Sequence, residues 1–323
     1  MIAAPAGRKV QAGSPSRCCA CPTEGLPEPM FGRWFHKREA FNAFWHGAAL
    51  SPVAVMSFNS FLSRGFSVNL YTYGDVKFVP AGVSLRPAES ILPKERLFEV
   101  HGGFEHFADL FRYCLIRNVG GWWIDTDVVC NTDRVPRTDI AFAFADRAGT
   151  INNGQFKFPR SHPVMVRAAE EAAAADISAW GASGPDLLTR IVAGAGIDRY
   201  RWDQSQLYPI HWAEAAKLLL PEYRGELEER TRRSAFIHLY AAMFRLQCGF
   251  DPTRFLPPRG SYLEGLYLRY GIGEAADRLE PIDEAALRQK IVPAVQEPWL
   301  QNVLAQERLQ FSFGDAAQRL SAG

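Results

Sequence analysis

Apolar positions first become regular at Phe41, where Phe41 to Trp45 forms a short apolar run closed by His46-Gly47 and reads as a strand. Ser51 then offers an N-cap hydroxyl and Pro52 suits the first helical position. Val53, Met56 and the apolar residues around position 60 supply a buried face until Gly65 stops the helix. Phe66, Val68 and Leu70 alternate with Ser67, Asn69 and Tyr71, the period of a half-buried strand. Pro80 to Pro93 reads as loop. Beyond Gly102-Gly103 the period lengthens: Phe107, Leu110, Phe111, Cys114 and Leu115 recur at helical spacing until Gly120-Gly121 ends the helix. Trp122 to Cys130 then reads as one continuous strand.

Further along, Ile140 to Ala145 is a second strand candidate, and Pro163 to Ala175 and Pro185 to Ala193 read as helices, the latter opened by Gly184-Pro185. Leu207 to Ile210 and Ala235 to Tyr240 are short strand candidates. Past Asp251 the chain reads as loop and charged helix, broken at Pro257-Pro258-Arg259-Gly260. Strands alternating with helices argue for an α/β sheet with a ligand crevice at the strand ends. Residues 1–38, rich in Pro, Gly, Ala and Ser, read as a flexible leader or a misassigned start. The expected organisation is therefore that leader, a catalytic domain over 39–250, and a loop and helical extension over 251–323 packed on it.

Composition narrows the function classes. The 323 residues are 47% hydrophobic and 22% charged, enough for a substantial core and unlike a disordered chain. With 36 basic and 35 acidic side chains the net charge is +1, so no general attraction to nucleic acid exists and a nucleic-acid partner is not expected. The six cysteines suit neither a disulfide framework nor a zinc ribbon and point to a reducing compartment; Cys18, Cys19 and Cys21 with His36 read as part of a tail rather than a metal site. Ala40 to Ser63 lacks formal charge, yet Asn42, His46, Pro52, Asn59 and several serines interrupt it too often for a membrane span. No apolar core follows Arg8 and Lys9, so no signal peptide is expected. The expectation is a cytoplasmic protein, with room for peripheral association at the inner membrane face.

The chemistry concentrates in His106 to Cys130. On an extended strand residues two apart share a side, so Asp125 and Asp127 would present two carboxylates to one point. Such a pair repels unless a positive charge sits between them, and a hard divalent cation suits oxygen ligands while keeping positions open for phosphate. Two aspartates exposed at a strand end are the plainer reading, since Asp-x-Asp arises often by chance. The context favours the first: a buried strand behind the pair, paired glycines before it, and a helix upstream on which Asp109 and Arg112 lie three apart and project together.

The order Ala108-Asp109-Leu110-Phe111-Arg112-Tyr113 followed by Gly120-Gly121-Trp122-Trp123-Ile124-Asp125-Thr126-Asp127 resembles the sugar-binding region of family 32 glycosyltransferases, glucosylating toxins and α-1,4-galactosyltransferases. Trp45-His46-Gly47, Gly184-Pro185 and Ile237-His238-Leu239 extend the likeness, while Ala108 stands where that family often has Ser and Trp123 where it has Tyr. The resemblance implies a GT-A-type nucleotide-sugar-binding fold with a mixed, mostly parallel central sheet and helical additions. It also implies a nucleotide-sugar donor, with UDP-hexose favoured, a glycan or glycolipid acceptor, Mn2+ or Mg2+, and retention of anomeric configuration. By it, Asp125 and Asp127 would approach ribose and metal, and Asp109 with Arg112 would hold sugar hydroxyls.

Other residues have two readings each. His238 is either a third metal ligand through a neutral imidazole or a satisfied histidine between Ile237 and Leu239. Trp45 ends a strand where a nucleobase would stack, or packs in the core. Trp123 shares a side with Asp125 and would contact the donor, whereas Trp122 faces the opposite, buried layer. Asn153, next to Asn152, would donate to sugar hydroxyls, although Asn-Asn-Gly is the better turn signal. Asp186 is either an acceptor-side or catalytic carboxylate, or an acidic residue placed at a helix start for dipole reasons.

Two rival classes remain. Ile124 to Val129 also fits the signature of haloacid-dehalogenase-like phosphatases, with Asp125 as nucleophile and Asp127 as general acid/base, but that signature normally ends the first strand of its domain. A non-catalytic carbohydrate-binding protein would need no metal site open to a diphosphate.

Overall fold

A computed structural model describes residues 39–100, 103–146, 148–175 and 182–295, the side chains of 292–295 excepted. The expected leader, with Cys18, Cys19, Cys21 and His36, lies outside the described residues. Strand β1 (Ala40–Phe44) runs into helix α1 (Pro52–Ser63), which starts as the sequence predicts: Ser51 Oγ accepts the Ala54 N–H at 3.1 Å and Pro52 occupies the first turn. Strands β2 (Ser67–Thr72) and β3 (Val83–Pro87) follow, then helix α2 (Glu105–Val119), β4 (Gly121–Ile124) and β5 (Val128–Cys130). Next come β6 (Gln155–Phe158), α3 (Pro163–Ala173), α4 (Pro185–Ala193), α5 (Gln204–Leu207), α6 (Arg224–Thr231), β7 (Phe236–His238), α7 (Ala241–Cys248), α8 (Tyr262–Tyr270) and α9 (Glu284–Val295).

The architecture is α/β. Its central sheet has the order β3-β2-β1-β4-β6, parallel except for the antiparallel β4–β6 pair. Period-two alternation sends Phe41, Val68, Leu70 and Trp122 into one apolar layer with α1, α7 and α8. Phe44, Tyr71, Trp123, Phe156 and Phe158 enter the other with α2, α3 and α4. Trp122 and Trp123 are thus both buried, on opposite faces of the sheet. From the segment after Asp251, Leu263, Leu266 and Tyr267 of α8 join the first of these layers. No helix among the described residues is long and apolar enough to cross a membrane.

Four expectations need correction. The continuous strand from Trp122 to Cys130 breaks at Asp125–Asp127, where Asp125 O accepts the Val128 N–H in a turn; β5 leaves the central sheet and pairs antiparallel with β7. Ile140 to Ala145 forms only isolated bridges, because Ala141, Phe142 and Phe144 pair with three different segments. Leu207 to Ile210 is not a strand: Asp203 caps the preceding turn through the Ser205 N–H at 2.8 Å and pulls Leu207 into α5. Pro80 to Pro93 is not all loop, since β3 is an edge strand. Its residues are exposed apart from half-buried Val83, so it carries no alternating apolar signal.

One glycine explains the abrupt join of α2 to β4. Gly120 has φ +75°, and a Cβ built on it would stand 2.5 Å from the Arg160 amide nitrogen.

Candidate functional site

The site forms where the central sheet and the β5–β7 ribbon separate. Asp125 closes β4: its N–H donates to Gly154 O at 2.7 Å and its Oδ1 accepts the Trp123 indole N–H at 2.9 Å. Trp123 is only 2% exposed, so its indole orients the carboxylate from within the core instead of facing an open pocket. Two residues on, Asp127 Oδ2 accepts the Ala241 N–H at 2.7 Å, at the start of α7, where the helix dipole favours negative charge. Its Oδ1 lies 3.1 Å from His238 Nε2. The two carboxylates therefore converge through a turn and not through strand periodicity.

Strand β7 delivers His238 opposite Val128 in the ribbon. The ring of Tyr240 lies 4.0 Å from that of His238, and Tyr240 adopts the left-handed region at φ 53° while capping α7. A non-glycine residue in this conformation is uncommon, and here it aims the Ala241 N–H at Asp127 while keeping an aromatic face against the imidazole.

Helix α2 supplies the rest. Arg112, 6% exposed, bridges the two halves of the site, with Nη1 3.1 Å from Asp125 Oδ1 and Nη2 3.3 Å from Asp109 Oδ1. Nη1 also donates to Asn153 O at 2.7 Å. The spacing of three between Asp109 and Arg112 thus does bring them together. Asn153 is not merely a turn residue: its Nδ2 lies 2.7 Å from Asp109 Oδ1 and 3.0 Å from the Tyr113 hydroxyl oxygen. Asn152 Oδ1 accepts the Gly154 N–H, and the Tyr208 hydroxyl donates to Asn152 O.

Burial and charge oppose each other throughout. Burial pushes the Asp109 and Asp125 carboxyls above their ordinary range, with Arg112 pulling both down. Burial acts on Asp127 too, but His238 and the Ala241 N–H outweigh it and hold that carboxyl below its ordinary value. For His238, burial would lower the value, yet Asp127 and Asp125 raise it. Arg112 is likewise raised, because Asp125 and Asp109 outweigh its desolvation.

Asp125, Asp127 and His238 each offer a ligand atom, and these atoms lie within 4.8 Å of one another. Two further observations fit a cation. His238 Nδ1 is buried without a hydrogen-bond partner among the described residues. A Cβ built on Gly154 would sit 2.7 Å from His238 Cε1, 2.8 Å from Asn152 Oδ1 and 3.0 Å from Asp125 Oδ2, so the glycine keeps a small polar cradle clear. Two carboxylates and an imidazole form a donor set suited to a divalent ion.

The remaining candidates lie outside this group. Trp45 is half-buried at the end of β1 and lines a separate cavity of about 80 Å3 with Ala49, Leu50, Ser51, Pro52 and Arg278. Its indole nitrogen is buried without a partner among the described residues. Asp186 is exposed in the first turn of α4 and is not one of the three clustered ligand residues. The sequence reading missed Tyr113, Ser183, Tyr208 and Gly154. All four lie in or beside stretches it did single out, but the contacts of Ser183 with Asp109 and of Tyr208 with Asn152 arise from tertiary packing.

No protein-family model and no curated protein matches the chain. Among solved structures it is similar to the PaToxG glycosyltransferase at 10% identity, with a TM-score of 0.38, over 50% of this chain and 69% of that one. It is also similar to an apo structure of the bifunctional glycosyltransferase WbbM at 12% identity, with a TM-score of 0.45, over 78% of this chain and 53% of that one. The chain thus spans about half the length of WbbM. At these scores the residues of the site, and not the neighbours, carry the functional weight.

Proposed function

We propose that this chain is a metal-dependent glycosyltransferase that moves a hexose from a nucleotide-diphosphate sugar, a UDP-hexose by preference, to a glycan or glycolipid acceptor with retention. The reading rests on one observation, the convergence of Asp125, Asp127 and His238 beside the buried Asp109–Arg112 pair. Asp125, Asp127 and His238 would hold Mn2+ or Mg2+, which when bound supplies Lewis-acid neutralisation of a diphosphate leaving group.

The protein's own groups then have distinct tasks. Breaking a bond between sugar and diphosphate builds positive charge at the anomeric carbon and negative charge on phosphate oxygens, and fixed dipoles aimed at those charges lower the barrier. Arg112 is anchored by the Asn153 carbonyl oxygen and both carboxylates, so its guanidinium is preorganised rather than searching for a partner. Asp109 accepts a sugar hydroxyl. Trp45 offers an indole face for the nucleobase at the end of β1. Asn153 acts by holding Asp109, and Asp186 would serve as an acceptor-side or catalytic carboxylate.

The phosphatase reading fares worse on position. The phosphatase signature normally ends the first strand of its domain, whereas Asp125 follows β4, after β1, β2 and β3.

The decisive experiment incubates the protein with a panel of nucleotide sugars and Mn2+ and follows release of nucleotide diphosphate. Turnover of at least one donor, abolished by EDTA, is expected, with negligible hydrolysis of p-nitrophenyl phosphate. Turnover of none, turnover indifferent to EDTA, or phosphatase activity overturns the proposal.

A further inference from the structure

Asp109 is held by more groups than the Asp-Arg pair requires. Its Oδ1 accepts from Asn153 at 2.7 Å and faces Arg112 Nη2 at 3.3 Å. Its Oδ2 accepts from the hydroxyl of Ser183 at 3.1 Å. Ser183 is 1% exposed, and its oxygen lies 2.8 Å from Nδ1 of His106, which stands about one helical turn before Asp109 on α2. The next residue, Gly184, is seated against the same carboxylate: a Cβ built there would stand 2.7 Å from Asp109 Oδ2, and the Gly184 carbonyl accepts the Tyr113 hydroxyl at 3.1 Å. The start of α4 is thus clamped onto α2 around one acidic side chain.

Proton counting fixes the direction of this chain. An ionised carboxylate only accepts, and a hydroxyl has a single proton to give. With the Arg112 guanidinium beside it, Asp109 takes the Ser183 proton, which leaves Ser183 Oγ to accept from His106. The imidazole must therefore carry a proton on Nδ1. An ionised carboxylate has about four acceptor positions. Asn153, Arg112 and Ser183 occupy three of them, and the side chain retains 13% exposure.

We propose that His106 and Ser183 are positioning residues that lock the Asp109 carboxylate and leave it one outward acceptor position, so that the transferred sugar must present a hydroxyl donor there. The inference rests on the glycosyltransferase reading and adds to it a relay that discriminates sugars. A site built to accept a hydroxyl strongly disfavours an analogue lacking it, because its buried acceptor is then left unpaired.

The test uses the nucleotide sugar that the wild type turns over fastest, its nucleotide diphosphate, and the variants Ser183→Ala, His106→Leu and His106→Asn. Ser183→Ala and His106→Leu should each weaken nucleotide-sugar binding by roughly tenfold, leave binding of the diphosphate unchanged, and in combination do no worse than either alone. His106→Asn, whose amide nitrogen can stand near the Nδ1 position, should restore most of the loss. Thermal melting checks that each variant folds. Equal losses for sugar and diphosphate, no loss at all, or no rescue by Asn overturns the proposal. A second measurement needs no substrate: imidazole nitrogen NMR should find His106 protonated at Nδ1 in the wild type, and an Nε2–H tautomer overturns the relay. A wild type that binds no nucleotide sugar refutes the functional reading and with it the sugar-selecting role, whereas the NMR result still decides whether the hydrogen-bond chain exists.

Discussion

Gly154 faces His238 so closely that a Cβ built on it would stand 2.7 Å from the imidazole Cε1. The same atom would press on Asn152 and Asp125, so the smallest possible side chain already fills the space beside two of the three candidate ligands, His238 and Asp125. Gly154→Ala should therefore reduce Mn2+ affinity and lower sugar-transfer activity by about a hundredfold, the scale expected of a displacement near 1 Å. Calorimetric titration with Mn2+ and a donor-hydrolysis assay read both effects. Unchanged metal affinity in a folded variant would show that the cradle holds no ion.

Asp127 accepts from Ala241 and contacts His238, and an asparagine retains an oxygen for the first of these. Asp127→Asn should fold with a melting temperature close to that of the wild type while losing transfer activity by at least about a hundredfold. Wild-type turnover in this variant would remove the aspartate from the mechanism.

The buried Arg112 is the counter-charge for two part-buried carboxylates, and removing it leaves both uncompensated. Arg112→Met should cost about 3–5 kcal/mol of unfolding free energy, measured by urea denaturation. Arg112→Lys keeps the charge but cannot reach Asp109, Asp125 and the Asn153 carbonyl together, so it should retain more stability than activity. A Met variant as stable as the wild type would mean that Asp109 and Asp125 are satisfied without it.

An ionic cluster that shares no residue with the candidate site gives a pH signature. Glu214 is largely buried, which alone would raise its carboxyl, but Arg230 at 2.6 Å and Lys217 at 2.9 Å outweigh burial and hold it below its ordinary 4.5. A depressed folded value means that the contribution to stability is complete above the unfolded value, near 4.5, and disappears as pH falls through the folded one. Glu214→Gln should cost about 1.5–3 kcal/mol at pH 7, with the gap to the wild type closing below that window. Denaturation curves collected from pH 7 to pH 3 test this, and a constant gap across the range would contradict it.

The local signals in the sequence were good where one short-range interaction decides the backbone. Ser51-Pro52 marks the start of α1, Gly120-Gly121 the end of α2 and Gly184-Pro185 the start of α4, because caps and fixed dihedrals act within a single turn. Position along a strand was less legible. Asp125 and Asp127 fall on opposite sides of a turn because β5 trades the central sheet for β7, a choice made by residues more than a hundred positions away. Ser183 was invisible for the same reason: nothing near it in the chain announces Asp109. His106, by contrast, sits on the same helix as Asp109, and its spacing of three was available to the eye.

The ribbon that carries Asp127 and His238 is fastened chiefly to α1 and not to the sheet that carries Asp125. Ser57 Oγ donates to Val128 O at 2.5 Å, and the Cys130 N–H donates to Ser60 Oγ at 2.8 Å, both in the dry interior. Two small hydroxyls on one helix thereby set the distance between the jaws of the candidate cation site. Sequence drift at those serines would retune metal affinity without touching a single ligand.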